Sequence, residues 1–326
     1  MIKRLHVVAV ILVAVAGSFL GGGRALAQTG PTLLLKPWPA EQFVEAQADA
    51  TFTDKGSTHD GFDFRMDIYE SYGRVRIVPG NIISPRIGYD FIAMDLDTDH
   101  PGLPSALYDQ SIAVGLAVWE HHGWVAGLTA GVGYAGDRPF GDANAWYAKG
   151  TFAIGRELDT ERDSFIAFVI DYDGNRNILP DVPLPGVAYG FRIDPTILLV
   201  VGVPVNSIRW EPNESFYLEA TFTITDRFDA VANWRFAPHW SVFGRFESRR
   251  EAFHLDELPG NRRLLFENRR AEAGLRFSPR EQFDMTISGG YSFGGEFSTG
   301  WDARNTTLVA DVSDEPYIRF GLETRF

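Results

Sequence analysis

Apolar and polar residues alternate with a period of two along most of the chain beyond residue 43. Phe283, Met285 and Ile287 lie on one face of such a segment, and Asp284 and Thr286 lie on the other. A helix has about 3.6 residues per turn and would mix these two sets, because side chains three and four residues apart are neighbours on its surface. The pattern therefore predicts β-strands rather than helices.

The alternation predicts an all-β, antiparallel fold of about fourteen strands, within a range of about 12 to 16. The predicted strands lie near residues 44–53, 61–70, 84–95, 107–120, 124–136, 145–157, 163–173, 187–210, 215–225, 228–237, 240–253, 265–278, 282–294 and 316–326. The range stays open at two places. The alternation breaks near residues 71–73, which predicts a bulge or an extra short strand. Segment 187–210 contains Pro195 and Pro204 and is compatible with more than one strand, because proline interrupts a β-ladder.

The connections between these strands alternate in length. Long ones lie near residues 54–60, 95–106, 137–144, 174–186, 254–264 and 295–315. Short ones include residues 120–123 and 211–214, and residues 225–227 form a short connection where a long one is due. Long loops at one end and short turns at the other are typical of up-and-down barrels that cross an outer membrane. We therefore expect a single transmembrane β-barrel with long extracellular loops and short periplasmic turns.

The chain ends in an amphipathic strand whose last residue is a phenylalanine. One face carries Ile318, Phe320, Leu322 and Phe326, and the other carries Arg319, Glu323 and Arg325. This strand resembles the C-terminal signature of bacterial outer-membrane β-barrels, a porin-like superfamily in which the last strand pairs with the first. The resemblance implies that Phe320, Leu322 and Phe326 form the signal recognised by the barrel assembly machinery.

Two short stretches carry a narrower resemblance. Residues 107–109 (Leu-Tyr-Asp) and 183–189 (Pro-Leu-Pro-Gly-Val-Ala-Tyr) are similar to a bacterial barrel family to which no function is assigned. This resemblance implies a barrel in the outer membrane, and it implies no activity.

The N-terminus has the plan of a secretory signal peptide. Lys3 and Arg4 precede an apolar run at residues 7–16, and Ala25-Leu26-Ala27 matches a cleavage site. The apolar run is too short for a membrane-spanning helix, which needs roughly 20 residues; an uncleaved anchor is the alternative. We predict a signal peptide at residues 1–27, a periplasmic lead-in at 28–42 and an outer-membrane barrel at 43–326.

Composition and charge narrow the partners. The chain has no cysteine, which excludes disulfides, thiolate metal sites and a cysteine nucleophile. Its 43 acidic and 30 basic residues give a net charge of −13, so a nucleic-acid partner is not expected. The expected partners are outer-membrane lipids and lipopolysaccharide, the barrel assembly machinery and small polar solutes.

Placing the apolar faces on lipid turns a set of charged side chains towards the lumen. The set comprises Arg235, Arg245, Glu247, Arg249, Arg270, Glu272, Arg276, Arg319, Glu323 and Arg325. The strands near residues 107–136 turn glycine, alanine, serine and threonine inward. A charged wall that faces a wall of small residues predicts a pore for small polar solutes with a weak preference for anions. A closed, salt-bridged interior in a structural or adhesive barrel is the alternative.

No cofactor is predicted, although two acidic stretches are candidate divalent-cation sites, the first of them in the loop near residue 175. Asp171, Asp173 and Asn175 resemble the start of a calcium loop, with oxygen ligands at alternate positions. Val182 stands where such a loop has a bidentate glutamate. An acidic loop mouth without a bound metal is the alternative interpretation.

A second acidic stretch places Asp95, Asp97 and Asp99 on one face of an extended segment, an arrangement suited to a divalent cation. With His100, and with His59 and Asp60 from another long loop, these carboxylates also support a third hypothesis, an outer-membrane hydrolase. That hypothesis requires the two loops to meet, which the sequence does not show. We therefore predict that the protein is not an enzyme.

Overall fold

The computed structural model describes residues 29–35, 42–78, 84–159, 164–223, 227–258 and 261–326. The predicted signal peptide lies outside the described residues. Within them, no helix is long and apolar enough to cross a membrane. A short α-helix, α1 (Pro31–Leu35), and a 3-10 helix (Ala143–Ala145) accompany the strands.

The described part of the chain contains eighteen strands in one sheet, and all their pairings are antiparallel. The strands are β1 (Val44–Thr53), β2 (Gly56–Ser57), β3 (Asp63–Arg76), β4 (Arg86–Thr98), β5 (Ala106–His121), β6 (Trp124–Gly136), β7 (Trp146–Asp159), β8 (Ser164–Asp173), β9 (Leu184–Asp194), β10 (Ile197–Val203), β11 (Val205–Asn213), β12 (Phe216–Thr223), β13 (Arg227–Ala237), β14 (Trp240–Phe253), β15 (Arg263–Arg280), β16 (Phe283–Gly300), β17 (Thr306–Val312) and β18 (Glu315–Arg325).

Sixteen of these strands close into a barrel, and β2 and β17 lie outside the ring. Barrel strands pair with their neighbours in the chain, and β1 closes the ring by pairing with both β3 and β18. Ala50 of β1, for example, lies between Tyr69 of β3 and Phe320 of β18. β2 pairs with the start of β3, and β17 pairs with the end of β16. Closure leaves no open edge in the ring, as a barrel in lipid requires.

The predicted number of about fourteen strands is wrong, whereas the closed antiparallel barrel is confirmed. Segment 187–210, which the alternation treats as one strand, contains parts of β9, β10 and β11. At the end of β9 the Asp194 carboxylate accepts a hydrogen bond from the amide of Thr196 at 2.7 Å, which closes a tight turn at Pro195. Pro204 separates β10 from β11 and has no amide hydrogen to continue the ladder. Both turns are too short to interrupt the apolar pattern.

The middle of the barrel is apolar on its outer surface. Ile112, Leu128, Ile170, Ile287 and Ile318 leave 44–53% of their surface exposed there. They lie on β5, β6, β8, β16 and β18, so the apolar surface extends around the ring as a lipid band. Soluble proteins rarely expose a continuous apolar surface of this extent. Lipid rather than water therefore solvates the band.

Strand β3 changes its environment halfway along its length. In the first half Phe64, Met66 and Ile68 point inward and are 1–4% exposed, although the sequence pattern placed them on lipid. In the second half Glu70 takes an inward position. The pairing of β3 with β1 and β4 runs through residues 71–73 without a register shift, so the expected bulge or extra strand is absent there. The first half of β3 stands above the lipid band, where water lies outside and apolar side chains pack inside.

A charge in the lipid band should destabilise the barrel more than a charge above it. Ile112→Arg places a guanidinium in the band, and we expect it to lower the free energy of unfolding by about 2–4 kcal/mol. Leu308→Arg is the matched control, because Leu308 is 58% exposed on β17 outside the ring; its effect should stay within about 0.5 kcal/mol. Urea titration of the protein refolded in lipid vesicles measures both. Equal losses would contradict the assignment of the band.

Candidate functional site: the barrel interior

The interior of the membrane-spanning half carries paired charges. Arg74 of β3 is 1% exposed and donates to Glu45 of β1 at 2.7 Å. Arg245 of β14 pairs with Asp229 of β13 and lies 3.2 Å from Glu247. An unpaired charge buried at such a position would cost several kcal/mol. The pairs therefore fix these arginines against the wall.

One ion pair crosses the interior. Arg249 of β14 donates through Nη1 to Glu70 of β3, and through Nε to Glu251 at 2.7 Å. In the ring β15, β16, β18 and β1 stand between β14 and β3, so the contact spans the lumen rather than following the wall. The side chains of Arg249 and Glu70 are 2% and 8% exposed. This contact is a constriction of the lumen.

A second arginine joins three strands. Arg319 of β18 lies 3.4 Å from Asp49 of β1 and 2.8 Å from Glu272 of β15. Glu272 also accepts hydrogen bonds from the hydroxyl groups of Tyr317 at 3.1 Å and Ser288 at 3.0 Å. These side chains are buried inside the ring, where low solvent access strengthens charge-assisted hydrogen bonds.

The structure places all ten predicted lumen residues inside the barrel or near its rim. The buried members, each with a side chain at most 7% exposed, are Arg245, Glu247, Arg249, Arg270, Glu272 and Arg319. Arg235, Arg276, Glu323 and Arg325 lie nearer the end that carries the short turns. The sequence interpretation missed the acidic partners Asp49 and Glu70. They occupy inward positions on β1 and β3, and a search that paired the first strands with the last would have found them.

The loop that follows β8, residues 174–183, folds into the extracellular mouth. The side-chain amide of Asn175 donates to the Asp109 carboxylate of β5 at 3.3 Å and to the backbone carbonyl of Ala252 of β14 at 2.9 Å. Its side-chain oxygen accepts a hydrogen bond from Arg263 of β15 at 3.0 Å. Asn175 thus bridges opposite walls, and we call residues 174–183 the lid.

An apolar cluster fills the extracellular half beside the lid. Its buried members include Leu96, Leu107, Phe253, Phe266 and Phe297, from strands on several sides of the ring. The rings of Phe266 and Phe297 stack with their centroids 4.7 Å apart. The cluster and the lid together occupy the extracellular mouth.

Basic side chains form ion pairs with two of the three candidate calcium ligands. Asp171 lies 2.6 Å from Arg176, and Asp173 lies 3.4 Å from Lys149. Asn175 makes the bridging contacts of the lid. Within the described residues no group of three or more histidine or carboxylate side chains could hold a metal ion. The geometry therefore gives no support to a calcium loop.

The three aspartates between residues 95 and 99 are exposed on the outer face of the extracellular half. His100 does meet the other long loop, since its Nε2 lies 3.3 Å from the carboxylate of Asp60. Its Nδ1 accepts the amide of Gly102 at 3.1 Å, and its side chain is 7% exposed. Nε2 thus links the two loops, whereas Nδ1 bonds within its own loop, and no feature of this pair supports the hydrolase hypothesis.

The wall of small residues is covered from the inside by residues 29–35 of the predicted lead-in. Leu33 of α1 is 0% exposed. A Cβ added at Gly115 would lie 3.2 Å from Leu33, and one added at Gly127 would lie 2.9 Å from Leu34. The space that the small residues leave is therefore taken by leucine side chains.

A cavity of about 1020 Å³ lies at the end of the barrel that carries the short turns, and we call it the vestibule. Its charged lining comprises Arg209, Arg235, Arg276, Arg280 and Arg325, with Glu211, Glu214, Glu281 and Asp284. Tyr217 adds an aromatic surface, over which the Arg209 guanidinium lies 5.4 Å from the ring centroid. Short turns mark the periplasmic end of outer-membrane barrels, so the vestibule is periplasmic.

No family model and no curated protein matches the sequence. The narrower resemblance at residues 107–109 and 183–189 therefore finds no support in these comparisons. Solved structures of similar fold include the toluene transporter TodX of Pseudomonas putida, with 8% identity, 95% of this chain and 97% of that chain covered, and a TM-score of 0.42. A FadL homologue of Pseudomonas aeruginosa has 10% identity, coverage of 88% and 90%, and a TM-score of 0.37. At these values the likeness extends to barrel architecture alone.

A closed antiparallel ring, an apolar outer band and paired charges inside define an outer-membrane β-barrel. The protein belongs to this class, and the outer membrane is its location. Phe320, Leu322 and Phe326 are 42–54% exposed on the outer face at the C-terminus. Their role as an assembly signal stays a prediction.

Consecutive arginines test the cross-lumen ion pair. Arg249→Met leaves the buried carboxylate of Glu70 without this partner, and we expect it to lower the free energy of unfolding by about 3–5 kcal/mol. Arg250→Met is the matched control, because Arg250 faces outward, is 22% exposed and pairs with Glu267; its effect should stay below about 1 kcal/mol. The double variant Glu70→Met/Arg249→Met should recover most of the loss, again by urea titration in vesicles. Similar losses for Arg249→Met and Arg250→Met would refute a buried constriction.

Proposed function

We propose that the protein is an outer-membrane channel for small polar solutes. The observation that carries the proposal is the vestibule of about 1020 Å³, whose lining contains charges of both signs. Charged and hydrogen-bonding walls replace part of the hydration shell of a polar solute. A hydrocarbon would instead displace water from these walls without offering hydrogen bonds in return. The arginine and carboxylate pairs above the vestibule continue this polar surface along the lumen.

The lid and the apolar cluster occupy the extracellular end of the path. The lid is a surface loop held mainly by hydrogen bonds, and such loops open locally at a lower free energy than strands of the sheet. We therefore expect a channel that rests closed and opens in discrete steps.

Single-channel recording of the protein without its signal peptide, refolded into a planar bilayer, tests the proposal. We expect discrete openings from a closed baseline, and a small reversal potential under a salt gradient. Selectivity should be weak because the buried wall arginines lie against carboxylates. Compact migration on a gel before heating shows that the barrel is folded. A folded barrel that never opens would overturn the proposal and favour the alternative, a structural barrel associated with lipopolysaccharide.

A charge reversal in the vestibule should change selectivity without changing the fold. The Arg235 guanidinium lines the vestibule and donates to the backbone carbonyl of Glu214. Arg235→Glu should shift the reversal potential towards cations, because fields act strongly within a Debye length of about 8 Å. Arg269→Glu is the matched control, since Arg269 is 54% exposed on the outer face. An equal shift in both variants would show that net charge, rather than the vestibule, sets selectivity.

A further inference from the structure

We propose that residues 29–35 are a displaceable plug, and that the inner face of β4 to β7, which includes the small-residue wall, is the groove that binds it. The proposal rests on the channel function and deepens it, because it names the segment that narrows the path above the vestibule. The occupant of the groove is a defined segment of this chain, and it lies inside the barrel.

The apolar side of the plug fits the groove closely. Helix α1 packs against β4, β5, β6 and β7. Leu33 and Leu34 lie against Gly115 and Gly127, where even one added carbon would crowd them. A glycine at these inward positions therefore has a packing role, because it makes room for a leucine of the plug.

Polar side chains of the groove hold both ends of the plug. The backbone amide and the hydroxyl group of Thr29 donate to the Asp90 carboxylate at 3.1 and 2.6 Å, and the hydroxyl lies 2.8 Å from that of Ser111. At the other end the Arg86 guanidinium donates to the carbonyl of Leu33 at 3.1 Å. An arginine at that place satisfies carbonyl groups that the end of a helix leaves without an intrahelical partner.

The anchors give the direction of the plug. Asp90 pairs with Ser111 across β4 and β5, and Arg86 pairs with Gly115 closer to the periplasmic end. The two anchor levels are thus four residues apart along a strand, or about 13 Å. The plug runs from the middle of the lumen towards the periplasm, on the side away from the lid.

Among the described residues, the side-chain hydrogen bonds that hold the plug come from its groove. Its residues join no β-ladder, and its backbone–backbone hydrogen bond, from the amide of Leu33 to the carbonyl of Gly30, lies within the plug. A helix of five residues has no stability of its own in water. The plug can therefore leave without breaking a single hydrogen bond of the sheet, and its departure would widen the lumen.

A disulfide lock tests the plug, because the chain has no cysteine of its own. The Thr29 and Ser111 oxygens are 2.8 Å apart, so cysteines at these positions lie within reach of a disulfide. In the folded Thr29→Cys/Ser111→Cys variant we expect a mild oxidant to form the cross-link. The locked channel should lose its largest openings, and dithiothreitol should restore them. Ser111→Cys alone, treated in the same way, is the control.

Two further variants move the plug without a cross-link. Deletion of residues 29–35 should increase the largest conductance step several-fold. Gly127→Leu fills the groove, so in the two-cysteine background it should abolish cross-linking. Gly150→Leu is the matched control, because Gly150 faces outward on β7 and a Cβ there meets nothing closer than 3.5 Å; cross-linking should be unchanged.

The outcomes separate the plug from the channel function. Failure of the folded two-cysteine variant to cross-link would overturn the plug, whatever the conductance. The variant could instead cross-link but show no conductance, either when reduced or after deletion of the plug. That result would overturn the channel function and the gating role, and only the binding of the plug to its groove would stand. If neither oxidation nor deletion of the plug changes the openings, the gating role is overturned while the channel function stands.

Discussion

Closure of the ring is the constraint on which the rest of the structure depends. In hydrocarbon an unpaired backbone amide or carbonyl costs several kcal/mol, so the first and last strands of the barrel must pair. Residues 45–53 of β1 do so with residues 317–325 of β18. This pairing brings carboxylates of the first strands beside arginines of the last ones, as Asp49 and Arg319 show at 3.4 Å. This part of the ionic wall is therefore a consequence of closure.

The size of the ring explains why the interior contains more than wall side chains. About eight strands enclose a space that side chains fill, whereas about sixteen enclose an aqueous channel unless other parts of the chain enter it. Three kinds of filling occur here. The charged pairs meet across the lumen at Arg249 and Glu70, the apolar cluster and the lid fill the extracellular half, and α1 covers the wall of small residues.

The sequence predicts those parts of the fold that a single environment determines. β16 alternates cleanly because lipid lies on one face of its membrane part, and the inward positions of Arg249, Glu272 and Arg319 follow from the same rule. The pattern of β3 is misinterpreted because apolar side chains point inward, rather than outward, above the membrane. The three strands in 187–210 merge because a turn of one or two residues leaves no polar interruption. The plug has no local signal, since small residues in a wall show that there is room but not what fills it.

The two fillings at the ends of the lumen are held differently. The lid is bonded to opposite walls through Asn175, and a neighbouring loop adds a hydrogen bond from the amide of Leu179 to Asp302 at 3.2 Å. Among the described residues, the plug is bonded to one wall, at Asp90, Ser111 and Arg86. Local opening occurs first where the free energy of opening is lowest. A segment bound to one wall leaves when that wall's contacts break, whereas the lid must release several elements together. We therefore expect the periplasmic half of the path to open more readily than the extracellular mouth, so that the lid sets the rate of passage.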